Sequence, residues 1–493
     1  MRELSETTVK AFAWTGTAKA IEQAISWAIS IWLVRLLVPE DYGLMALATM
    51  SIQFVNYFSE LSLGAGLVQK RDVDDVDLSS TFWFLAASGT AAATVIYSLA
   101  AFIEGFFGMA RLSDILRVLS LNCVINGLGT IPHCMLDREL QFDRKARIDI
   151  VANLSMGVVA LTLANAGQGV WSLVCGSLSR NLSFTVQAYC TWPYRPRLLF
   201  SWQRLREVVS FGLHLSGSKI LAFVYYNVDN LIIGKSLGKT ALGYYYTAFH
   251  FTTMPVEKLS MIINQVNFPI FARLRDHAQS VKFQFLGTTK YITLAIFPAM
   301  AGLFLTAEGL VRYVFGSKWL PIVEPLQILC VIGAVRAMAV VIPPLLMGKG
   351  RADALFKYSL ASTVVMTGAI LIGVRYGING VAWAWVLVYP FLFAYLLGLA
   401  LRESHVTLRE YAKTVAPSLA ATTGMVIAVK AYQSAAGSMS FVGFVGSVII
   451  GVAVYGGMLM VLHREVVAEV KAAIGMIKAQ GYRVSVLMSN LVL

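Results

Sequence analysis

Apolar runs of about 20 residues recur from one end of the chain to the other, and nothing else in it restricts the fold so severely. A helix of that length crosses a hydrocarbon core of about 30 Å. About fourteen such spans can be laid out by length and hydropathy, at approximately 14–37, 42–67, 79–102, 113–136, 148–165, 170–190, 209–233, 241–264, 287–305, 321–347, 356–374, 379–401, 414–432 and 441–462. Composition agrees: 57% of the 493 residues are hydrophobic and 14% charged, with mean hydropathy +0.67. Soluble domains are roughly 45–50% apolar and about 25% charged. The expected class is an all-α integral membrane protein. The first apolar segment is too long for a signal peptide and lacks a small-residue cleavage site, so it reads as the first span.

Net charge is +13, yet no soluble basic domain with interleaved aromatics is present, so nucleic acid is not an expected partner. The basic residues sit in alternate short loops. On the side of the N-terminus these include Arg138, Arg144, Lys145 and Arg147, then Arg195, Arg197, Arg204 and Arg206, with further groups at Arg273, Lys349 and Arg402. Roughly 26 Lys and Arg fall on that side against about 6 on the other, the positive-inside signature, which places both termini in the cytoplasm. Loops on the opposite side, such as "NAGQG" and "RYGIN", are too short to fold as domains, which argues against a membrane polymerase or ligase. Cys123, Cys134, Cys175, Cys190 and Cys330 show no ligand spacing and read as small packing residues; no metal site is expected.

A weak repeat appears at an offset of 200. "PEDYGLMALA" (39–48) faces "KTALGYYYTA" (239–248), with Gly43 over Gly243 and Ala48 over Ala248. With the same topology on both sides it implies two parallel six-helix lobes, 1–205 and 206–402, and an additional helix pair with a tail at 403–493.

Charges inside spans are the informative residues, since each costs at least about 2.5–3.5 kcal/mol at bilayer depth unless it faces protein or water. In the first span Thr15, Lys19, Glu22, Gln23, Ser26 and Ser30 fall within an arc of roughly 100°. In the second, Thr49, Gln53, Asn56 and Glu60 share one face. The seventh carries His214, Ser218, Tyr225 and Asp229 on one side, with Lys219 adjacent; the eighth carries His250, Thr253, Glu257 and Asn264, with Lys258. The later spans are greasier apart from Arg180 and Arg336, which cannot reach water along their own helices. The expected substrate cavity is a hydrated cleft lined by the first two helices of each lobe. Lys19, Arg180, Lys219, Lys258 and Arg336 nearly balance Glu22, Glu60, Asp229 and Glu257. Packing pairs and interfacial snorkelling are the competing readings for Lys19, Glu22, Lys219 and Lys258.

Several stretches, "RLLVPEDYGLMALA", "LSLGAGLVQK", "GQGVWSLV", "NVDNLIIGKSLGKTALGYYYTA", "VNFPIFARL" and "LLMGKGRADALFKY", resemble the Wzx-like lipopolysaccharide and exopolysaccharide flippases. Those belong to a superfamily with the multidrug/toxic-compound extruders and the lipid II flippase, and the nearest branch looks like the colanic-acid translocase type. The resemblance covers roughly residues 1–400. It implies a V-shaped two-lobe transporter, no enzyme, in the bacterial inner membrane. Its implied substrate is an undecaprenyl-pyrophosphate-linked oligosaccharide, moved from the cytoplasmic to the periplasmic leaflet by alternating access through a cationic cavity. Only Asp229 carries over by motif; the other cavity residues carry over by position. A polysaccharide polymerase and a chain-length regulator are the implied protein partners. No cofactor is implied, with protons or sodium as coupling ions. Arginine and lysine suit the diphosphate, and Gln23, Gln53, Asn56, Tyr225 and Tyr226 suit the sugars. The rivals are a drug/cation antiporter of the same superfamily, a membrane polymerase or ligase, and a non-transporting scaffold.

Overall fold

Capping and broken backbone geometry set where the helices of this chain start and stop. The computed structural model describes residues 23, 25–60, 63–70, 72–139, 141–436 and 440–462. Every regular element among them is helical. They are α1 (Ile25–Leu36), α2 (Pro39–Glu60), α3 (Leu63–Gln69), α4 (Asp75–Phe107), α5 (Leu112–Leu119), α6 (Leu121–Arg138), α7 (Phe142–Asn165) and α8 (Val170–Thr191). Then follow α9 (Trp202–Arg273), α10 (Ala278–Gly309), α11 (Val323–Ala339), α12 (Ile342–Gly348), α13 (Ala352–Gly373), α14 (Gly377–Ser404), α15 (Leu408–Ala436) and α16 (Phe441–Leu462). Eight helical stretches among the described residues are long and apolar enough to cross a membrane. Others carry two expected spans or too much polar surface for that criterion, so the order agrees with about fourteen crossings.

α9 covers the seventh and eighth expected spans, broken at Gly238, whose φ of 83° and ψ of −179° lie where only glycine is comfortable. α4 begins with a capping box: the Asp74 side chain accepts from the Asp77 amide, and the Asp77 side chain accepts from the Asp74 amide. The fourth span is split at Ser120 between α5 and α6, and the tenth between α11 and α12.

The chain divides into two compact units, one of Met1–His250, Val314–Pro325 and Phe356–Val388, the other of Phe251–Tyr313, Leu326–Leu355 and Tyr389–Leu493. In the first unit, α2 meets the start of the second half of α9 through glycine. A Cβ on Gly43 would fall on the Lys239 carbonyl, and one on Gly243 would fall on the Pro39 carbonyl. The contact is reciprocal between residues 200 apart, the offset of the sequence repeat. Glu40 reinforces it, 2.9 Å from the Lys239 ammonium and accepting from the Thr240 hydroxyl at 3.2 Å. Trp319, fully buried, donates its indole N–H to the Val34 carbonyl at 2.7 Å and packs edge-on against Tyr42 and Tyr244.

At the other end of this unit, loop and helix termini are tied by charge. Arg138 donates to the Leu67 and Lys70 carbonyls, Arg197 pairs with Asp75 at 2.7 Å, and the Lys70 ammonium lies 2.7 Å from Asp77. The Asp77 side chain is 1% exposed. Lys70→Ala therefore leaves a buried carboxylate short of its counter-charge, and is expected to cost about 2–3 kcal/mol. A fall in melting temperature in detergent checks it, and Lys70→Arg should recover most of the loss.

In the second unit α16 shows how sequence sets packing in lipid. Its buried residues are Gly443, Ser447 and Gly451, one small residue per turn, while Val442, Ile449, Val452 and Val461 are well exposed. Small residues let α16 approach α15, where Met425 and Val429 are buried, and the branched face is left for acyl chains. The cysteines divide: Cys123, Cys134 and Cys330 are buried as expected of packing residues, Cys175 is partly buried, and Cys190 is exposed.

Candidate functional site

A polar cavity of about 380 Å³ opens in the first unit, lined by Glu60 of α2, Asn126, Thr130 and His133 of α6, Asp149 of α7, and Arg180, Asn181, Phe184 and Thr185 of α8. Helical spacing explains the convergence. Asn122, Asn126, Thr130 and His133 step by four, four and three along α6; Asp149 and Asn153 are four apart on α7; Ser177, Asn181 and Phe184 step along α8. α7 and α8 are consecutive helices joined by a short turn, and their polar residues interlock: Arg180 donates through Nε to Asn153 Oδ1 at 2.9 Å, and Ser155 bonds Ser179 at 2.5 Å. Asn181 donates to Asn122 Oδ1 at 2.9 Å, tying α8 to α6. The guanidinium is thus aimed by an amide that cannot neutralise it. The ring of His133 lies 5.0 Å from that of Phe184. Beside His133, Asp137 takes the Lys145 ammonium at 2.6 Å.

Arg336 lines a second, much smaller polar pocket in the other unit, of about 20 Å³, with Thr252, Thr253 and Glu257. Each mid-span arginine thus shares a pocket with one expected acid, Glu60 or Glu257, and the two pockets are distinct.

Asp229 occupies a different setting. It is fully buried, accepts from the Tyr245 hydroxyl at 2.8 Å and from the Asn230 amide at 2.8 Å, and Tyr245 in turn receives the Trp385 indole N–H at 3.1 Å. Tyr225 stacks edge-on against Tyr226 and Trp385. Gln53 is exposed, with a long contact of 3.5 Å to the Tyr57 hydroxyl. Gln23 Nε2 and Asn56 Oδ1 are buried without a hydrogen-bond partner, a state polar groups rarely keep unless water or ligand reaches them. Lys19 and Glu22 lie outside the described residues, as do the side chains of His214, Ser218, Lys219 and Lys258.

Of the expected lining, Glu60 and Arg180 share the cavity of the first unit, where Asn126, His133, Asp149, Asn181 and Phe184 of α6, α7 and α8 join them. The signal for them was present: four-residue spacing of polar residues recurs in the fourth to sixth spans.

A multi-pass helical bundle with a charged, hydrogen-bonded cavity among its spans is the architecture of a membrane transporter. The family model described as "Polysaccharide biosynthesis protein" matches residues 32–324, and the chain belongs to that family. It is 26% identical over 374 residues to the lipopolysaccharide biosynthesis protein WzxC of Escherichia coli K12, covering 75% of this chain and 76% of that one. It is 25% identical over 384 residues to the succinoglycan biosynthesis transport protein ExoT of Rhizobium meliloti, covering 78% of each. Among solved structures, the inward closed conformation of the lipid II flippase MurJ superposes with a TM-score of 0.74 at 14% identity, covering 92% of this chain and 99% of that one. The fold is therefore that of MurJ.

Proposed function

We propose that this chain is a flippase that carries undecaprenyl-pyrophosphate-linked oligosaccharide units from the cytoplasmic to the periplasmic leaflet of a bacterial inner membrane, by alternating access, for surface polysaccharide assembly. It is a transporter and not an enzyme. The observation that carries the reading is the Arg180 cavity, a charged, hydrogen-bonding space among lipid-spanning helices that has no structural need to be hollow. The names of the relatives, a lipopolysaccharide biosynthesis protein and a succinoglycan biosynthesis transport protein, support a cargo destined for polysaccharide. Both termini face the cytoplasm in this reading, and a polymerase and a chain-length regulator receive the product.

An apolar groove of about 660 Å³ between α10, α15 and α16 suits part of the isoprenoid tail, its wall including Leu303, Leu310, Val448 and Tyr455. Ala299→Trp, which fills that groove from an exposed position, is expected to lower export about tenfold with normal membrane levels, as read by surface-polysaccharide yield.

A deletion strain should accumulate lipid-linked repeat units on the inner leaflet, and the wild-type gene should clear them. Arg180→Gln should restore export to less than about a tenth of wild type at equal protein level. Unimpaired export by that variant would end the assignment of the cavity. A second reading, a cation antiporter of the same superfamily, is favoured by one feature, the presence of two carboxylates and one arginine on the cavity wall.

A further inference from the structure

We infer that the segment joining α8 to α9, residues 192–206, is a membrane-interface anchor that docks on anionic phospholipid headgroups of the leaflet it meets. Such an anchor requires only that the chain spans a bilayer, whatever the cargo. Between Thr191 and Trp202 the chain runs outside any helix, yet it is fastened along the first turns of α4, which is long and apolar enough to cross the membrane. The Arg197 amide donates to the Ser79 hydroxyl at 3.3 Å and the Ser201 amide to the Ser80 hydroxyl at 2.8 Å. The Trp83 indole N–H donates to the Arg197 carbonyl at 2.9 Å. At about 1.5 Å per residue, these three α4 residues lie roughly 6–12 Å along the helix from Asp75. The loop is therefore folded back to the level at which a span enters the bilayer.

The fastening holds apolar side chains outward. Leu198, Leu199 and Phe200 lie between the two bonded amides, with Leu198 90% exposed and Phe200 59%; Trp202, opening α9, is 59% exposed. Ser79 and Ser80 are buried, so both bonds are made to fixed points of the helix packing. Pro193 and Pro196 stiffen the approach to them. An exposed apolar patch of this kind marks contact with a membrane or a protein, and the charge around it selects the membrane. Residues 192–206 hold four arginines and no acidic residue. Arg195 and Arg206 are exposed on either side of the patch, while Arg197 and Arg204 meet Asp75 and Asp74 with 67% and 49% of their side chains still exposed. Leucine, phenylalanine and tryptophan beside arginine suit the headgroup boundary, where rings and aliphatic groups enter the acyl region and guanidinium groups reach phosphate. A soluble protein partner would have no need of a patch set at the opening turns of a span.

The test uses purified full-length protein in vesicles of phosphatidylcholine, alone or mixed with phosphatidylglycerol. Leu198→Cys, in a Cys175→Ala, Cys190→Ser background, carries an environment-sensitive fluorophore at a position too exposed to disturb folding. Its emission should be quenched by nitroxide-bearing lipid and not by aqueous iodide. In detergent micelles, added phosphatidylglycerol should shift the emission to the blue, and Arg195→Gln combined with Arg206→Gln should raise the midpoint of that titration about tenfold or more. Quenching by iodide alone in both kinds of vesicle puts the loop in water and overturns the inference. Equal midpoints for phosphatidylglycerol and phosphatidylcholine, or for the double variant and its parent, overturn the assignment of an anionic headgroup. Emission shielded from both quenchers and dependent on protein concentration overturns it in favour of a second copy of the chain. None of these outcomes bears on the flippase reading, which stands or falls on export by Arg180→Gln.

Discussion

Gly243→Val should force α2 and the second half of α9 apart and cost about 3 kcal/mol or more, because the new Cβ meets the Pro39 carbonyl, a backbone atom that cannot rotate away. Gly43→Val should do the same against the Lys239 carbonyl. The informative measurement is the double variant. Once one valine has separated the helices, the second finds room, so the pair should be less destabilising than the sum by about 1–3 kcal/mol. Melting of the four proteins in detergent reads the coupling directly. Additive losses would mean that the two glycines do not share one contact. The neighbouring Glu40–Lys239 pair is not an equivalent support. Both side chains are more than a third exposed, and such pairs contribute about 0–1 kcal/mol, so Lys239→Met should be nearly silent.

Asp229→Ala is the second large effect, expected to cost about 3–5 kcal/mol and to lower the yield of folded protein sharply. The carboxylate is fully buried and receives the Tyr245 hydroxyl, which itself receives the Trp385 indole N–H, so one truncation removes the acceptor at 2.8 Å from that hydroxyl and breaks a chain running from α9 to α14. Asp229→Asn preserves the shape and an acceptor oxygen, and should cost about 1–2 kcal/mol. Tyr245→Phe removes the hydroxyl between the two, leaving the Trp385 N–H without that acceptor, and should fall between them. Equal stability of Asp229→Ala and wild type would show that the buried chain contributes little.

The helices were legible in the sequence because lipid enforces them: a backbone in hydrocarbon must satisfy its own hydrogen bonds, so hydropathy and length alone give their number and approximate limits. The turn between the expected spans 209–233 and 241–264 falls at Gly238, while the identities at an offset of 200 were read as a repeat and the direct Gly43–Gly243 contact emerges only from packing. Glu60, Glu257, Arg180 and Arg336 stood out as charges in apolar surroundings, and each lines a polar pocket.

What tertiary structure alone decided was the company each charge keeps. One helical face is periodic in sequence, but which faces meet depends on crossing points between helices far apart in the chain, and hydropathy carries no record of them. Asp149 and His133 therefore share a wall with Arg180 through the packing of α6, α7 and α8, which the spacing within each helix does not record. Asp229 looked from its helix like a cavity residue, whereas it is buried and bonded to Tyr245, itself held by Trp385 of α14. Periodicity tells which side of a helix avoids lipid; only packing tells whether that side meets water or another protein surface.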